Sequence, residues 1–274
     1  MNTLPVLFVS HGSPMLAVED GPARRFLMEW PKRIARPQAI LVVSAHWQSG
    51  GGPELSLTAQ PMTIHDFGGF PRELFEIQYP APGAPAVAEQ AAHLLRDAGY
   101  TVKQNATRGL DHGAWVPLSL MYPHADVPVF QVSLIHGAGP AEHYRLGAAL
   151  QALRAQGVLI IGSGALTHNL YEFRGQGPND PEPQWVTDFA GWVAETLAAG
   201  RVDELLDYRR RAPYAERNHP TEEHLLPLFV ALGAAGDSTV VERVHRSNTY
   251  GILAMDAYMF SGNAPANMAV ADIV

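Results

Sequence analysis

The chain has 274 residues, 47% of them hydrophobic and 17% charged, enough for one large α/β domain or two small ones. A formal net charge of −8 argues against a nucleic-acid surface, and the lack of cysteine excludes disulfides, thiolate ligands and a cysteine nucleophile. No apolar run approaches the roughly 20 residues of a bilayer span, and the first five residues lack the basic and apolar regions of a secretion signal, so a cytoplasmic enzyme is expected. In chain order, residues 4–10 read as a buried strand and 22–33 as a helix burying Phe26, Leu27 and Trp30. Residues 39–44 read as a second strand and 85–98 as a helix opened by Pro85 and closed by Gly99. A strand at 127–133, a helix at 140–153, a short strand at 158–161 and a helix at 184–197 follow. A helix opened by Pro220, kinked or restarted at Pro227, leads to strands at 239–244 and 251–259. This alternation predicts one α/β domain over 1–274, with a mostly parallel, mixed central sheet covered by helices on both faces.

Twelve histidines are the strongest chemical signal. His11, His46 and His168 each follow a predicted strand, and His219 stands before a predicted helix. In open α/β sheets ligands bind beyond the carboxyl ends of the strands, where these side chains emerge. Neutral imidazole both ligates metals and exchanges protons near neutral pH. Three imidazoles with open positions suit Fe(II), Mn(II) or Zn(II). His93, His124, His143 and His245 read as structural or surface residues, and His136 as a loop residue. His224 lies five positions after His219, so on a helix it would point well away from it, and it is left outside the site. Gly162-Ser163-Gly164 is not a nucleophile elbow, and Gly137-x-Gly139 lacks the full dinucleotide fingerprint.

Six ordered segments carry a more specific signal: Ser10-His11-Gly12-Ser13-Pro14, Ser44-Ala45-His46-Trp47, Thr63-Ile64-His65-Asp66-Phe67-Gly68-Gly69-Phe70-Pro71, Leu110-Asp111-His112-Gly113-Ala114-Trp115, Gly162-Ser163-Gly164 with Thr167-His168-Asn169, and Asn218-His219-Pro220-Thr221. Together they resemble the class III extradiol ring-cleavage dioxygenases, in the 4,5-DOPA dioxygenase branch, over nearly the whole chain. The resemblance implies a single α/β domain that opens a catechol ring with O2. It implies a mononuclear metal held by His11, His46 and His219, Fe(II) in active members and Zn(II) as the alternative, especially as purified. It gives His168 as acid–base residue or additional ligand, and His112 as the histidine facing substrate and oxygen. His65 and Asp66 fall in the implied substrate pocket, where Trp47, Phe67, Phe70, Trp115 and Tyr122 are expected as apolar walls. Arg72, Arg108 and Arg174 are candidates for an acidic group on the substrate. The implied all-histidine set departs from the two-histidine, one-carboxylate triad of protocatechuate-cleaving relatives, and three histidines also suit catalytic zinc, so a zinc-dependent hydrolase is the competing expectation.

Overall fold

Successive strand residues face opposite sides of a sheet, so uninterrupted apolar runs such as Val6–Ser10 and Ala39–Ser44 need cover on both faces. A computed structural model describes residues 3–236 and 239–262 and supplies that cover. Six strands, β1 (Val6–Ser10), β2 (Ala39–Ser44), β3 (Val129–Gln131), β4 (Val158–Gly164), β5 (Thr239–His245) and β6 (Ala257–Gly262), form one sheet in the order β3-β2-β4-β1-β6-β5. Strands β3, β2, β4 and β1 are parallel; β6 joins β1 antiparallel, and β5 joins β6 antiparallel. The domain is therefore α/β with a mixed sheet. The expected end of the domain at residue 274 lies outside the described residues.

Alternate strand residues divide the interior into two cores. Val6, Phe8, Leu41, Val43 and Ile160 share one face with α2 (Pro85–Asp97), α4 (Pro140–Leu150), α5 (Gln184–Ala198) and α6 (Leu226–Ala235). Leu7, Val9, Ile40, Val42, Leu159 and Ile161 share the other with α1 (Pro22–Glu29) and α3 (His112–Met121). Register sets the ends level: Ser10 pairs with Gly164 and Ser44 with Ser163, so three adjacent parallel strands finish at one edge.

The structure shifts several expected boundaries. The helix expected at 22–33 is α-helical only to Glu29 and tightens into a 3-10 turn at Trp30–Arg33, where Pro31 offers no N–H. No helix opens at Pro220. Residues 220–225 form bends and turns, and α6 starts at Leu226 with Pro227 in its first turn, which is the restart rather than the kink. The strand expected at 251–259 divides into a two-residue ladder at Leu253–Ala254 and the sheet strand β6. Helix α3 was not foreseen. Nine of its ten residues are buried, so it has no polar face from which a 3.6-residue period could be read. Among the described residues no helix is long and apolar enough to cross a membrane.

Candidate metal centre

His11 follows directly on β1, and its backbone N–H donates to the Gly164 carbonyl at 2.8 Å, which extends the β1–β4 ladder by one residue. His46 stands two residues past β2, where its N–H donates to the Ser44 hydroxyl at 3.2 Å. The two rings meet with their Nε2 atoms 3.0 Å apart. The third imidazole is not His219. It is His224, whose ring centroid lies 5.7 Å from that of His11 and 4.9 Å from that of His46. One nitrogen from each of His11, His46 and His224 falls within 4.8 Å of the others, the spacing of ligands around a single ion.

His219 is buried against Phe189 and Tyr208, and its Nε2–H donates to the Leu166 carbonyl at 2.8 Å. Its segment still serves the site, because the Asn218 carbonyl accepts from the backbone N–H of His168 at 3.0 Å. The exchange of roles follows from the missing helix. With residues 220–225 in bends and turns, helical spacing does not separate the two histidines, and His224 reaches the strand ends, where its carbonyl accepts from the Ala165 N–H at 2.8 Å. Gly164 makes room for it: a Cβ there would sit 2.1 Å from the His224 carbonyl oxygen.

Each cluster imidazole meets an acceptor on its outer side. His11 Nδ1 lies 3.0 Å from the Ser163 hydroxyl, His224 Nδ1 lies 3.0 Å from Glu223, and His46 Nδ1 lies 3.6 Å from Asp66. A proton held at Nδ1 leaves Nε2 as a lone pair pointing inward, the usual arrangement behind histidine metal ligands. Burial pushes His11 and His224 well below the ordinary histidine range, and for His11 the neighbouring imidazoles add to the effect. Burial, then His112, brings His46 down to about 4 against the opposing pull of Asp111 and Asp66. The cluster is thus neutral at pH 7 and rich in lone pairs. Two such nitrogens facing each other at 3.0 Å, with a third nearby, fit a divalent cation.

The remaining expected residues fall into three groups. His168 stacks on His224, ring centroids 3.5 Å apart, and burial lowers its pKa to about 4. His112 opens α3, with its ring centroid 3.9 Å from His46, and both its backbone N–H and its Nδ1 lie 2.9 Å from Asp66 Oδ1. Burial alone would raise the Asp66 pKa, but these hydrogen bonds hold the carboxylate at about 2. His46 and Asp66 remain one-fifth to one-quarter exposed, so the cluster opens to solvent on this side.

His65 lies in an aromatic group with Phe67, Phe75 and Trp115, while its Nε2 is 3.0 Å from the Ile77 carbonyl. Phe67 presents an edge-to-face contact to His112 at 5.6 Å. Trp115 is fully buried and donates to the Ile64 carbonyl, so it supports the loop from beneath instead of walling a cavity. Trp47 is covered by the Arg108 guanidinium, 5.0 Å above its ring. Tyr122 does not belong here: it follows the last residue of α3, roughly 15 Å along the axis from His112. Arg108 is paired with the buried Asp111, and Arg72 with Glu76, so neither guanidinium stands free toward the cluster.

Imidazoles that converge at the ends of parallel strands in a mixed α/β sheet have a counterpart among known enzyme families. Residues 5–260 match the model for the catalytic LigB subunit of aromatic ring-opening dioxygenase, and the chain belongs to that family. It is 42% identical over 265 residues to a Beta vulgaris protein named 4,5-DOPA dioxygenase extradiol, covering 95% of this chain and 97% of the relative. An Escherichia coli K12 protein of the same name is 41% identical over 234 residues, covering 84% and 85%. The crystal structure of an uncharacterized Escherichia coli K12 protein aligns with a TM-score of 0.78 at 34% identity, over 93% of this chain and 99% of that one.

Proposed function

We propose that this chain is a cytoplasmic extradiol dioxygenase that opens a catechol ring beside its two hydroxyls, incorporating both atoms of O2, with Fe(II) held by His11, His46 and His224. The observation that carries the reading is the convergence of three neutral imidazoles at one solvent-reached edge of the sheet, two of them with a hydrogen-bond acceptor behind Nδ1 and the third with a carboxylate 3.6 Å from it. Fe(II) bound there would act as a Lewis acid that favours the catecholate and as the electron conduit between ring and oxygen. An all-imidazole set leaves the dication un-neutralised by its ligands, which favours an anionic catecholate.

The protein supplies the proton chemistry. The His168 ring lies stacked against His224, placed to take one catechol proton and return it after ring attack. His112 is held by Asp66 through Nδ1, so its Nε2 is the atom left to face substrate and the oxygen on which negative charge develops. Phe67, with Phe70 and Phe75 beside it, offers a flat apolar wall on the open side. DOPA is the first substrate to test, because relatives at 41–42% identity carry it in their names.

The test is anaerobic loading with Fe(II), then a catechol panel followed by oxygen electrode and absorbance. Stoichiometric O2 uptake with a yellow semialdehyde product supports the reading. Absence of uptake with every catechol, together with hydrolysis of an ester or amide by the Zn(II) form, would install the hydrolase in its place. Family membership ranks that hydrolase second.

A further inference from the structure

In an α-helix each carbonyl accepts from the N–H four residues on. In α3 the partner due to Gly113 is residue 117, a proline with no N–H. The freed Gly113 carbonyl is taken by the hydroxyl of Ser163, 2.5 Å away at the end of β4. A carbonyl only accepts, so the single hydroxyl hydrogen of Ser163 is committed to it. Toward His11 Nδ1, at 3.0 Å, Ser163 Oγ can therefore only accept. The proton of neutral His11 is then fixed on Nδ1, and Nε2 is left as a lone pair facing His46. The Ser163 side chain is fully buried, so water does not compete for either contact.

We propose that Pro117 and Ser163 act together as a tautomer lock on His11, which makes Ser163 a positioning residue for metal capture. The same hydroxyl ties β4 to the first turn of α3, which carries His112, so the ring that binds metal and the ring that faces substrate share one anchor. Gly113 must be glycine for this approach, because a Cβ there would lie 2.3 Å from the Ser44 hydroxyl and 3.1 Å from the His46 ring. The link to metal rests on His11 being a ligand as proposed above; the tautomer does not.

The lock is read directly by 15N NMR of imidazole-labelled, metal-free protein near pH 7. In the wild type His11 should show a protonated Nδ1 and a bare Nε2. Ser163→Ala should give a mixed or reversed pattern and weaken Zn(II) and Fe(II) binding by about 10–100-fold in chelator competition, with the far-UV spectrum unchanged. Pro117→Ala restores an N–H that competes for the Gly113 carbonyl, and should move the same two readouts in the same direction by a smaller factor; it serves alone if Ser163→Ala fails to fold. A wild-type His11 protonated on Nε2 overturns the proposal, as does a folded Ser163→Ala protein that binds metal as tightly as wild type. If the tautomer and affinity respond as expected but no catechol is opened, the ring-cleavage reading fails and the lock stands.

Discussion

His219 and His224 are five residues apart and have opposite fates, which gives the sharpest test at the level of single side chains. His224→Ala should remove one of three ligands, abolish stoichiometric metal binding and take ring-opening activity with it, while leaving the fold intact. His219→Ala should do the reverse. The His219 imidazole fills a buried space and donates to Leu166, so its loss should cost about 2–4 kcal/mol of stability with metal stoichiometry retained. Metal analysis and thermal melts on the two variants separate these outcomes. The resemblance implied His219 as the third ligand, and its place before a proline, which commonly opens a helix, agreed with that choice. The overlooked cue was Glu223: an acid immediately before His224 supplies the outer acceptor that a ligand imidazole needs. Asp66 was placed near substrate by resemblance; its geometry gives it a second duty, because its two oxygens face His112 and His46. Asp66→Asn should therefore lower kcat by about 10–100-fold and leave most metal bound.

Strands and helices were unequally readable. β1, β2 and β4 announce themselves by buried runs that end in a small residue, and the imidazoles at 11 and 46 follow from where those runs stop. α3 gave no such sign, because a helix buried on nearly every side has no amphipathic period and carries a proline besides. Two glycines in helices mark the difference between the site and its surroundings. Gly113→Ala, in α3, drives a methyl into Ser44 and His46, and should weaken metal binding by more than tenfold in titration. Gly191→Ala, in the middle of α5 with nothing within 4 Å of the new methyl, should raise stability by about 0.5–1 kcal/mol in denaturant melts. Equal effects from the two changes would mean that α3 does not press on the cluster.

Across the whole molecule, buried imidazoles set the response to acid. His46 and His168 titrate at about 4 and His219 at about 3 in the folded chain, each lowered chiefly by burial from 6.5. The unfolded chain therefore binds more protons between pH 6.5 and 4. The stability these groups contribute is complete above pH 6.5 and is lost as pH falls toward their folded values. Asp256 works in the opposite sense: burial raises it to about 6, so its penalty grows as pH climbs from about 4 to 6. Several histidines outweigh one carboxyl, so Tm of the metal-free protein should fall steeply from pH 7 to 4.5; a flat profile would contradict the neutral, buried state of the cluster. Divalent metal should add about 2.7 kcal/mol when present at 100 times its Kd, and chelation should withdraw it.

The three proposed ligands also have an order in time. A chain emerging from the ribosome has His11 and His46 in hand early, yet the nitrogen that completes the triad arrives only with residue 224, just ahead of α6. An ion held as proposed at 11, 46 and 224 would join segments more than two hundred residues apart, so the stability that it adds to the folded state would be shared by distant parts of the chain.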